Sequence, residues 1–568
     1  MSKKKVLITG ANGNLGQDLC EVFTLAGFEV VATDRSDLDI TNQAEVKEKI
    51  SAIRPDFIIN AAAYNLVDKI EDPAVYPLAL AVNVEGPKNL AEAAKYYGVP
   101  IVHFSTDYVF AGDKPEGYKE DDQPNPISKY GQTKYLGELA VEQAGGQWYV
   151  CRLSKIFGRP GCGETTKPSF VSLMLKLAAE KPELKIVDEE IGCPSYTRDI
   201  AEATLKLIKE NFASGIYHFV NSGPGVTWYQ FAEEIFTTLG IQTPRQPVSA
   251  QEFGVQPARR PKFAALLNTK FPSLRPRAEA LQDFLTLPKI SLILVSTKVK
   301  DILKENLLGL FNSSCKYPFE VIVVDNGSND GTTQMVLEEF LQVHFIQNDW
   351  NSGFAHACNQ GLRIARGEVF VLLNPDTQVK AEVLENVFDT ITKRQEIGVM
   401  GIKLLNKDGS IMPSVRRDPS FVDQLAILLK LPHVFSKITD RYLATDFDYQ
   451  VSQEVDQVRG SFFAFRRDIW RRVGFLDEEN FFVWFEEVDF CRRVRQAGYK
   501  VWYNAEVSCV DLVGQTFKQM SVRKKQAMFS RSMARYFFKW QTWWQGAIIT
   551  ILRPVVICLG ALVDLWRR

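Results

Sequence analysis

Two groups of residues in this 568-residue chain have the types and spacing for chemistry, and they lie in opposite halves. In the first half Tyr130 and Lys134 stand four apart in YGQTK, so a helix puts them on one face. An ammonium beside a phenol lowers its pKa and prepares it for proton transfer. Thr106, in STDYVF after the apolar run PIVHF, can hydrogen-bond the same substrate oxygen. In the second half, FVWFEEVDF at residues 482–490 sets Glu486, Glu487 and Asp489 among aromatic side chains. Carboxylates are rarely placed there unless they are paired, solvated or put to use. Apolar walls raise a carboxylate's pKa toward usefulness as a base and keep water away. A further acid, Asp376, ends the very apolar run VFVLLNPD. At a strand tip it can hold a divalent cation that neutralises a diphosphate leaving group. Each pattern has a plainer alternative: YxxxK is a common surface pair, and NPD can be a simple Asx turn.

The elements around these residues read as α/β. KVLITGANGNLGQDLCEVF is a strand, a glycine turn and a helix, with Gly10, Gly13 and Gly16 spaced GxxGxxG and Asn12, Asn14 and Leu15 between them. Glycine lets the backbone approach a pyrophosphate, and the helix N-terminus stabilises its charge. The next strand, EVVATD, ends at Asp34, whose carboxylate suits the ribose hydroxyls of NADH. Arg35 follows at once and can accept the 2′-phosphate of NADPH, so both cofactors stay open. The strand–helix alternation runs to about residue 284, passes a Pro- and Arg-rich stretch, and restarts with ISLILVS. Acids and serines at strand ends, as in FEVIVVDNGSNDGT with Asp325, usually face the ligand crevice of such folds.

Bulk properties narrow the classes. Apolar residues make up 46% of the chain, ample for globular cores, and the net charge of -1 gives no basic field for nucleic acid. Nine scattered cysteines, odd in number and without a CxxC pair, fit a reducing cytoplasm. The C-terminal stretch is basic (Arg523, Lys524, Lys525, Arg531, Arg535, Lys539), then rich in tryptophan (Trp540, Trp543, Trp544), then apolar, with Arg553 and Pro554 cutting the apolar part in two. This order suits the cytoplasmic face of a membrane, as an interfacial or re-entrant segment ahead of a true span or a homo-oligomer contact. The expected domains are residues 1–285, 286–520 and a membrane-associating tail, 521–568.

TGANGNLG, NAAAYNLVDKIED, STDYVFAG and YGQTKYLGE together resemble the extended short-chain dehydrogenase/reductase family, in particular its dTDP-4-dehydrorhamnose reductase branch. The resemblance implies a Rossmann-fold domain in which Tyr130 protonates the C4 ketone oxygen of a nucleotide sugar while NAD(P)H delivers hydride. Lys134 tunes the tyrosine and holds the nicotinamide ribose, and Thr106 orients the oxygen. It further implies an adenine contact at Asp39 and Ile40, a floor beside the cofactor at Ala61, Ala62 and Ala63, and nucleotide-sugar contacts at Tyr108 and Arg260. One departure is RLSK, with Lys155 where the family often carries an aromatic residue.

From residue 288 to about 520, VVDNGSNDGT, NSGFAHACNQG, LLNPDT, RGSFFAFRRDIWRRVGFLDE and FEEVDFCRR resemble, in order, family 2 GT-A glycosyltransferases of the rhamnosyltransferase kind. The resemblance implies that Asp325 helps bind the donor nucleotide, Asp376 ligates Mg²⁺ or Mn²⁺, and Glu487 deprotonates the acceptor hydroxyl. Glu486 and Asp489 support that base through Arg492 or Arg493. In DLVGQT, Asp511 stands where the family often has a histidine metal ligand. The expected whole is a bifunctional enzyme that makes dTDP-L-rhamnose and transfers a sugar, with inversion, to a glycan or polyprenyl-diphosphate-linked acceptor at the cytoplasmic membrane surface. The alternatives are reduction or epimerisation of another nucleotide sugar, and one half acting only as a binding scaffold.

Overall fold

The computed structural model describes residues 3–161, 169–254, 257–512 and 520–566. The chain forms two compact units, Met1–Thr286 and Leu287–Arg568.

Unit 1 is built on a six-stranded parallel sheet. Its strands are β1 (Lys5–Thr9), β2 (Glu29–Thr33), β3 (Phe57–Asn60), β4 (Ile101–Thr106), β5 (Trp148–Leu153) and β6 (Gly215–His218), in the order β2-β1-β3-β4-β5-β6. Both faces are covered, as parallel sheets require. Val6 and Ile8 pack on one side with Leu19 and Phe23. Leu7 packs on the other with Ile50, Ile58 and Leu90. The sheet's direction of growth reverses beside β1, so the glycine turn after β1 lies at the switch point where such folds bind ligands. Helix α1 (Asn14–Leu25) starts there, with Gly13 at its N-cap. Helix α2 (Lys129–Ala144) is capped by Ser128, whose Oγ accepts from Gly131 N at 3.2 Å.

Unit 2 is built on a mixed ten-stranded sheet. Its main strands are β7 (Ile290–Ser296), β8 (Phe319–Asn326), β9 (His344–Asn348), β10 (Val369–Leu373), β11 (Thr377–Gln378), β12 (Ile397–Leu405), β13 (Phe462–Arg466) and β14 (Lys500–Asp511). The order is β9-β8-β7-β10-β13-β12-β14-β11. The first four are parallel, and β13 runs antiparallel between β10 and β12. Fully buried runs such as ISLILVS and VFVLL make the core. Helix α3 (Glu486–Gln496) carries the glutamate pair.

The segment beyond residue 520 does not stand apart as a tail. It forms α4 (Val522–Trp540) and α5 (Trp543–Trp566), and Met533, Tyr536 and Phe537 of α4 are buried against Phe481, Phe485 and Val488. The expected third segment is thus part of unit 2, because α4 supplies the apolar cover for the aromatic run that precedes α3.

Candidate active sites

In unit 1 the glycine turn is shaped by close approach. Gly10 has φ +67°, and a Cβ there would meet Ala62 N at 2.6 Å; one on Gly16 would meet Gly10 O at 2.1 Å. Ala61 N donates to Thr9 O at 3.0 Å, which sets Ala61, Ala62 and Ala63 beside the turn. Asp34 accepts from Asn12 N at 3.0 Å, so the acid after β2 braces the turn as well as ending the strand. Arg35 is exposed next to it. Asp39 accepts from Thr41 Oγ1 at 2.7 Å, and these Thr41 hydrogen bonds hold its carboxyl below the ordinary value. Ile40 is buried against Gly86, in the core. The narrow glycine cradle, a helix N-terminus without a side-chain cap and a neighbouring acid fit a dinucleotide.

Thr106, Tyr130 and Lys134 come together at the ends of β4 and α2. Tyr130 hydrogen-bonds Thr106, and burial pushes its phenol up to about 12. Lys134 Nζ donates to Phe104 O at 2.6 Å, and burial pulls its ammonium down to about 8. The sequence implied a tyrosine lowered by Lys134. The structure corrects this: desolvation dominates, and the ammonium is turned to a backbone carbonyl.

Next to this trio lies a buried polar cluster. Thr106 Oγ1 donates to Asp107 Oδ1 at 2.9 Å and Ser154 Oγ donates to Asp107 Oδ2 at 2.6 Å. Burial nonetheless raises Asp107 to about 6. Tyr108 packs edge-on against Tyr130, with ring centres 5.5 Å apart, and burial raises its phenol. Arg260 forks onto Asp68 at 2.9 and 3.2 Å and lies 3.7 Å from Glu190. Lys155 has φ +45°, sits 4.1 Å over the Trp228 ring and donates to Glu190 O and Val226 O. Burial lowers it to about 8. Asp107, Glu190 and Trp228 were not picked out from the sequence, where nothing in their local pattern shows that the fold brings them together.

In unit 2 a cavity of about 990 Å³, open mouth included, joins blocks that are far apart in the chain. Its walls include Asn326 at the end of β8, Asn374, Pro375 and Asp376 after β10, Arg459 and Ser461 before β13, and Glu486 and Glu487. Asn374 N donates to Ser461 O at 3.0 Å, tying the two strand tips together. Gly353, at φ +98°, allows the run before α3 to close down: a Cβ there would meet Phe482 at 2.8 Å, and Phe354 N donates to Phe482 O at 2.7 Å. Trp484 and Phe485 have φ +62° and +71°, a conformation side chains rarely adopt. That turn aims the first residues of α3 into the cavity.

The Glu486 and Glu487 carboxyls are buried side by side, and each has one oxygen, Oε2, that meets no donor among the described residues. Burial, and then Glu487 itself, pushes Glu486 well above the ordinary value; burial also raises Glu487, against a lowering by Arg459 and by the hydrogen bond from Glu486. The two carboxyls hydrogen-bond each other through a shared proton, and burial disfavours the charged form of both, so they titrate as a pair. Asp376 and Asp511 are both buried, and their backbones are linked across β11 and β14, where Thr377 pairs with Asp511 and Leu512 N donates to Asp376 O at 3.0 Å. Asp376 lines the cavity and Asp511 does not; a carboxylate at that strand tip fits an oxygen-ligated divalent cation. Among the described residues there is no cluster of three or more metal-ligating side chains. Most of the DLVGQT stretch, residues 513–516, lies outside the described residues. Asp325 is buried and accepts from Ser328 Oγ, while its neighbour Asn326 faces the cavity.

Asp489 corrects the expectation. It is fully buried, outside the cavity wall, and bonds Arg493 Nε at 2.8 Å, Trp540 Nε1 at 2.8 Å and Lys539 Nζ at 2.6 Å. Its partners come from α3 itself and from the end of α4, so it fastens α3 to α4. Arg493 turns to Phe475 O, and Arg492 lies 4.9 Å over Trp540. The cation that acts on Glu487 is Arg459.

Comparison with known proteins matches this geometry. Residues 4–285 fit the family model described as RmlD substrate binding domain, and residues 291–469 fit glycosyl transferase family 2. The chain is 37% identical over 285 residues to the spore coat polysaccharide biosynthesis protein SpsK of Bacillus subtilis, covering 50% of this chain and 96% of the relative. It is 37% identical over 266 residues to a dTDP-4-dehydrorhamnose reductase of Streptomyces griseus, covering 46% of this chain and 84% of the relative. The first half belongs to the dTDP-4-dehydrorhamnose reductase family. The chain is a reductase-like domain of that family fused to a family 2 glycosyltransferase domain, with oxidoreductase and glycosyltransferase activities in one polypeptide. A crystal structure of the Bacillus anthracis dTDP-4-dehydrorhamnose reductase in complex with NADP is 36% identical, with a TM-score of 0.47, covering 50% of this chain and 99% of that one. The glycosyltransferase match ends before the glutamate pair, which lines the same cavity as residues inside the match.

Proposed function

We propose that unit 1 reduces dTDP-4-dehydro-L-rhamnose to dTDP-L-rhamnose and that unit 2 transfers a sugar, rhamnose, with inversion to a glycan or polyprenyl-diphosphate-linked acceptor at the cytoplasmic face of a membrane. The observation that carries this reading is the fusion itself. A unit related to enzymes named for reducing dTDP-4-dehydrorhamnose is joined to a transferase unit, so the product of one is a donor for the other.

In unit 1, NADPH or NADH held over Gly10, Asn12, Gly13, Asn14, Leu15 and Gly16 would supply the hydride. Asp34, Arg35, Asp39 and Ile40 would take its adenosine half, with Ala61, Ala62 and Ala63 beneath. Tyr130, which keeps its proton up to about pH 12, gives it to the C4 oxygen as that oxygen becomes an alkoxide. Thr106 holds the oxygen, and Lys134 would hold the nicotinamide ribose. Tyr108 and Arg260 hold the sugar nucleotide.

In unit 2, Glu487 removes the proton of the acceptor hydroxyl. The hydroxyl oxygen bonds to the anomeric carbon from the face opposite the diphosphate, and the carbon–oxygen bond to the diphosphate breaks, so configuration inverts. Glu486 keeps the shared proton and orients Glu487; Asp325 positions the donor nucleotide. Asp376 and Asp511 would hold Mg²⁺ or Mn²⁺, which would neutralise the leaving diphosphate.

The test is oxidation of NADH or NADPH by purified protein with dTDP-4-dehydro-L-rhamnose, followed by absorbance, beside Tyr130→Phe. Oxidation lost in Tyr130→Phe by about a hundredfold or more supports the assignment. No oxidation with either cofactor overturns the rhamnose reading. A second reading, reduction of a different nucleotide sugar, is favoured by one observation: Lys155 and Trp228 form a half-buried cation–ring pair where the family often has an aromatic residue.

A further inference from the structure

The strongest unexplained surface is on α5. It is apolar enough to cross a bilayer by length and composition, with mean hydropathy 1.8 over Trp543–Leu562. One side is packed along its whole length on α4. Gly546 admits Phe538, Gly560 admits the Arg523 backbone, and Ile549 and Val556 are buried. Arg553, at mid-helix, donates to Ser530 Oγ at 3.3 Å, and Asp564 accepts from Val522 N and Arg523 N at 2.8 and 2.9 Å. The other side is a bare apolar stripe: Ile551, Val555, Leu559 and Leu562 are 73, 54, 52 and 59% exposed. Their spacing of four, four and three puts them on one face. Trp543, 74% exposed, stands at its start.

We propose that α5 lies in the plane of an anionic lipid bilayer, docked as an interfacial helix, with α4 holding it beside the transferase cavity. Three observations select this occupant and this depth. Charge complementarity comes first: α4 carries Arg523, Lys524, Lys525 and Arg531 and no Asp or Glu, which suits anionic headgroups. Second, crossing the bilayer would either strip α5 of its Arg553 and Asp564 partners or draw the α4 cations into hydrocarbon, where an unpaired charge is costly. Third, the hairpin is continuous with the site. Met528 of α4 lines the cavity, and Ser532 Oγ donates to Val483 O, one residue before the strained turn, at 2.8 Å. A bilayer on α5 thus reaches the wall of the cavity where a lipid-borne acceptor is used. This purpose rests on the transferase reading above; the docking itself rests on α4 and α5 alone.

The test is flotation of the full-length protein with vesicles of phosphatidylglycerol and phosphatidylethanolamine, against vesicles of phosphatidylcholine. Binding is expected to the anionic vesicles, to weaken with salt, and to fall by about tenfold or more in the double variant Ile551→Lys, Leu559→Lys. Depth is read by a polarity-sensitive dye on Cys558, which is exposed on α5, in a background with Cys162→Ser and Cys315→Ser. Lipid quenchers near the headgroups should quench it more than quenchers at the bilayer centre. No flotation, flotation indifferent to the double variant, or stronger quenching from the centre would each overturn the proposal. So would a lipid-free dimer that the double variant dissociates, because the stripe would then face a second copy. An unchanged thermal midpoint of the unit 2 transition in the variant controls for folding. Vesicle binding without any sugar transfer would leave the docking standing and remove the transferase reading instead.

Discussion

Glu487 and Tyr130 are tuned by the same physical cause and in the same direction, because burial disfavours the charged form of each. For a base this sets the acid limb of the rate. Transfer should fall, as pH drops, at a higher pH than an ordinary glutamate would dictate. Glu486→Gln keeps a donor to Glu487 and should leave that limb in place, while Glu486→Ala removes the donor and should move it upward. A kcat/KM profile of the three proteins decides, and identical limbs in all three would break the shared-proton account. Lys155 makes a second, thermodynamic prediction. Its folded value of about 8 lies below the ordinary 10.5, as does that of Lys134. Below about 8 each is protonated in both states and its buried charge costs stability. Between about 8 and 10.5 the unfolded chain holds protons the folded chain has lost, so unit 1 should gain stability as pH rises. Lys155→Met should flatten that rise, read by urea unfolding at both ends of the window. The residue types and spacings were legible in the sequence. Their burial was not, which is why Lys134 was expected to lower Tyr130 and why Asp489 was placed at the substrate.

At the scale of elements, the glycine turn, the β–α alternation and the restart at ISLILVS were all legible, because each is a local pattern. The division of units falls at Thr286 and Leu287, where that restart begins. The role of α4 was not legible. Its basic and aromatic composition marks a membrane-facing segment. Its apolar face, however, finds a partner about fifty residues upstream, and periodicity says only that a face exists, not what covers it. The same limit hid the turn at Trp484 and Phe485, since nothing in an aromatic run announces two left-handed residues in a row. The link between α3 and α4 is testable through Trp540, whose Nε1 donates to the fully buried Asp489. Trp540→Phe keeps the ring and removes the donor. It should destabilise unit 2 by about 1–3 kcal/mol, lowering the thermal midpoint of that unit's transition. Reductase activity in unit 1 should be untouched. Unchanged unfolding would mean that α4 is held by its apolar contacts alone.

At the scale of the whole molecule, one chain carries two chemistries, and on the proposed function they meet in a single nucleotide sugar. Tethering raises the concentration of each site near the other, but it adds no step that free enzymes could not perform. If the two reactions are sequential, Tyr130→Phe should abolish glycan formation from dTDP-4-dehydro-L-rhamnose and reduced cofactor. It should leave formation from added dTDP-L-rhamnose intact. Glu487→Gln should abolish both while still oxidising the cofactor. Mixing the two variants should then restore product from the keto sugar, because the intermediate diffuses from one chain to the other. Radiolabelled sugar reaching the acceptor in that mixture is the readout. Failure of the mixture, with each variant active in its own surviving step, would show that the intermediate does not leave the chain. The reason to fuse the two units would then be direct delivery. Success at a rate that falls on dilution, where the wild type's does not, would assign the fusion to local concentration instead.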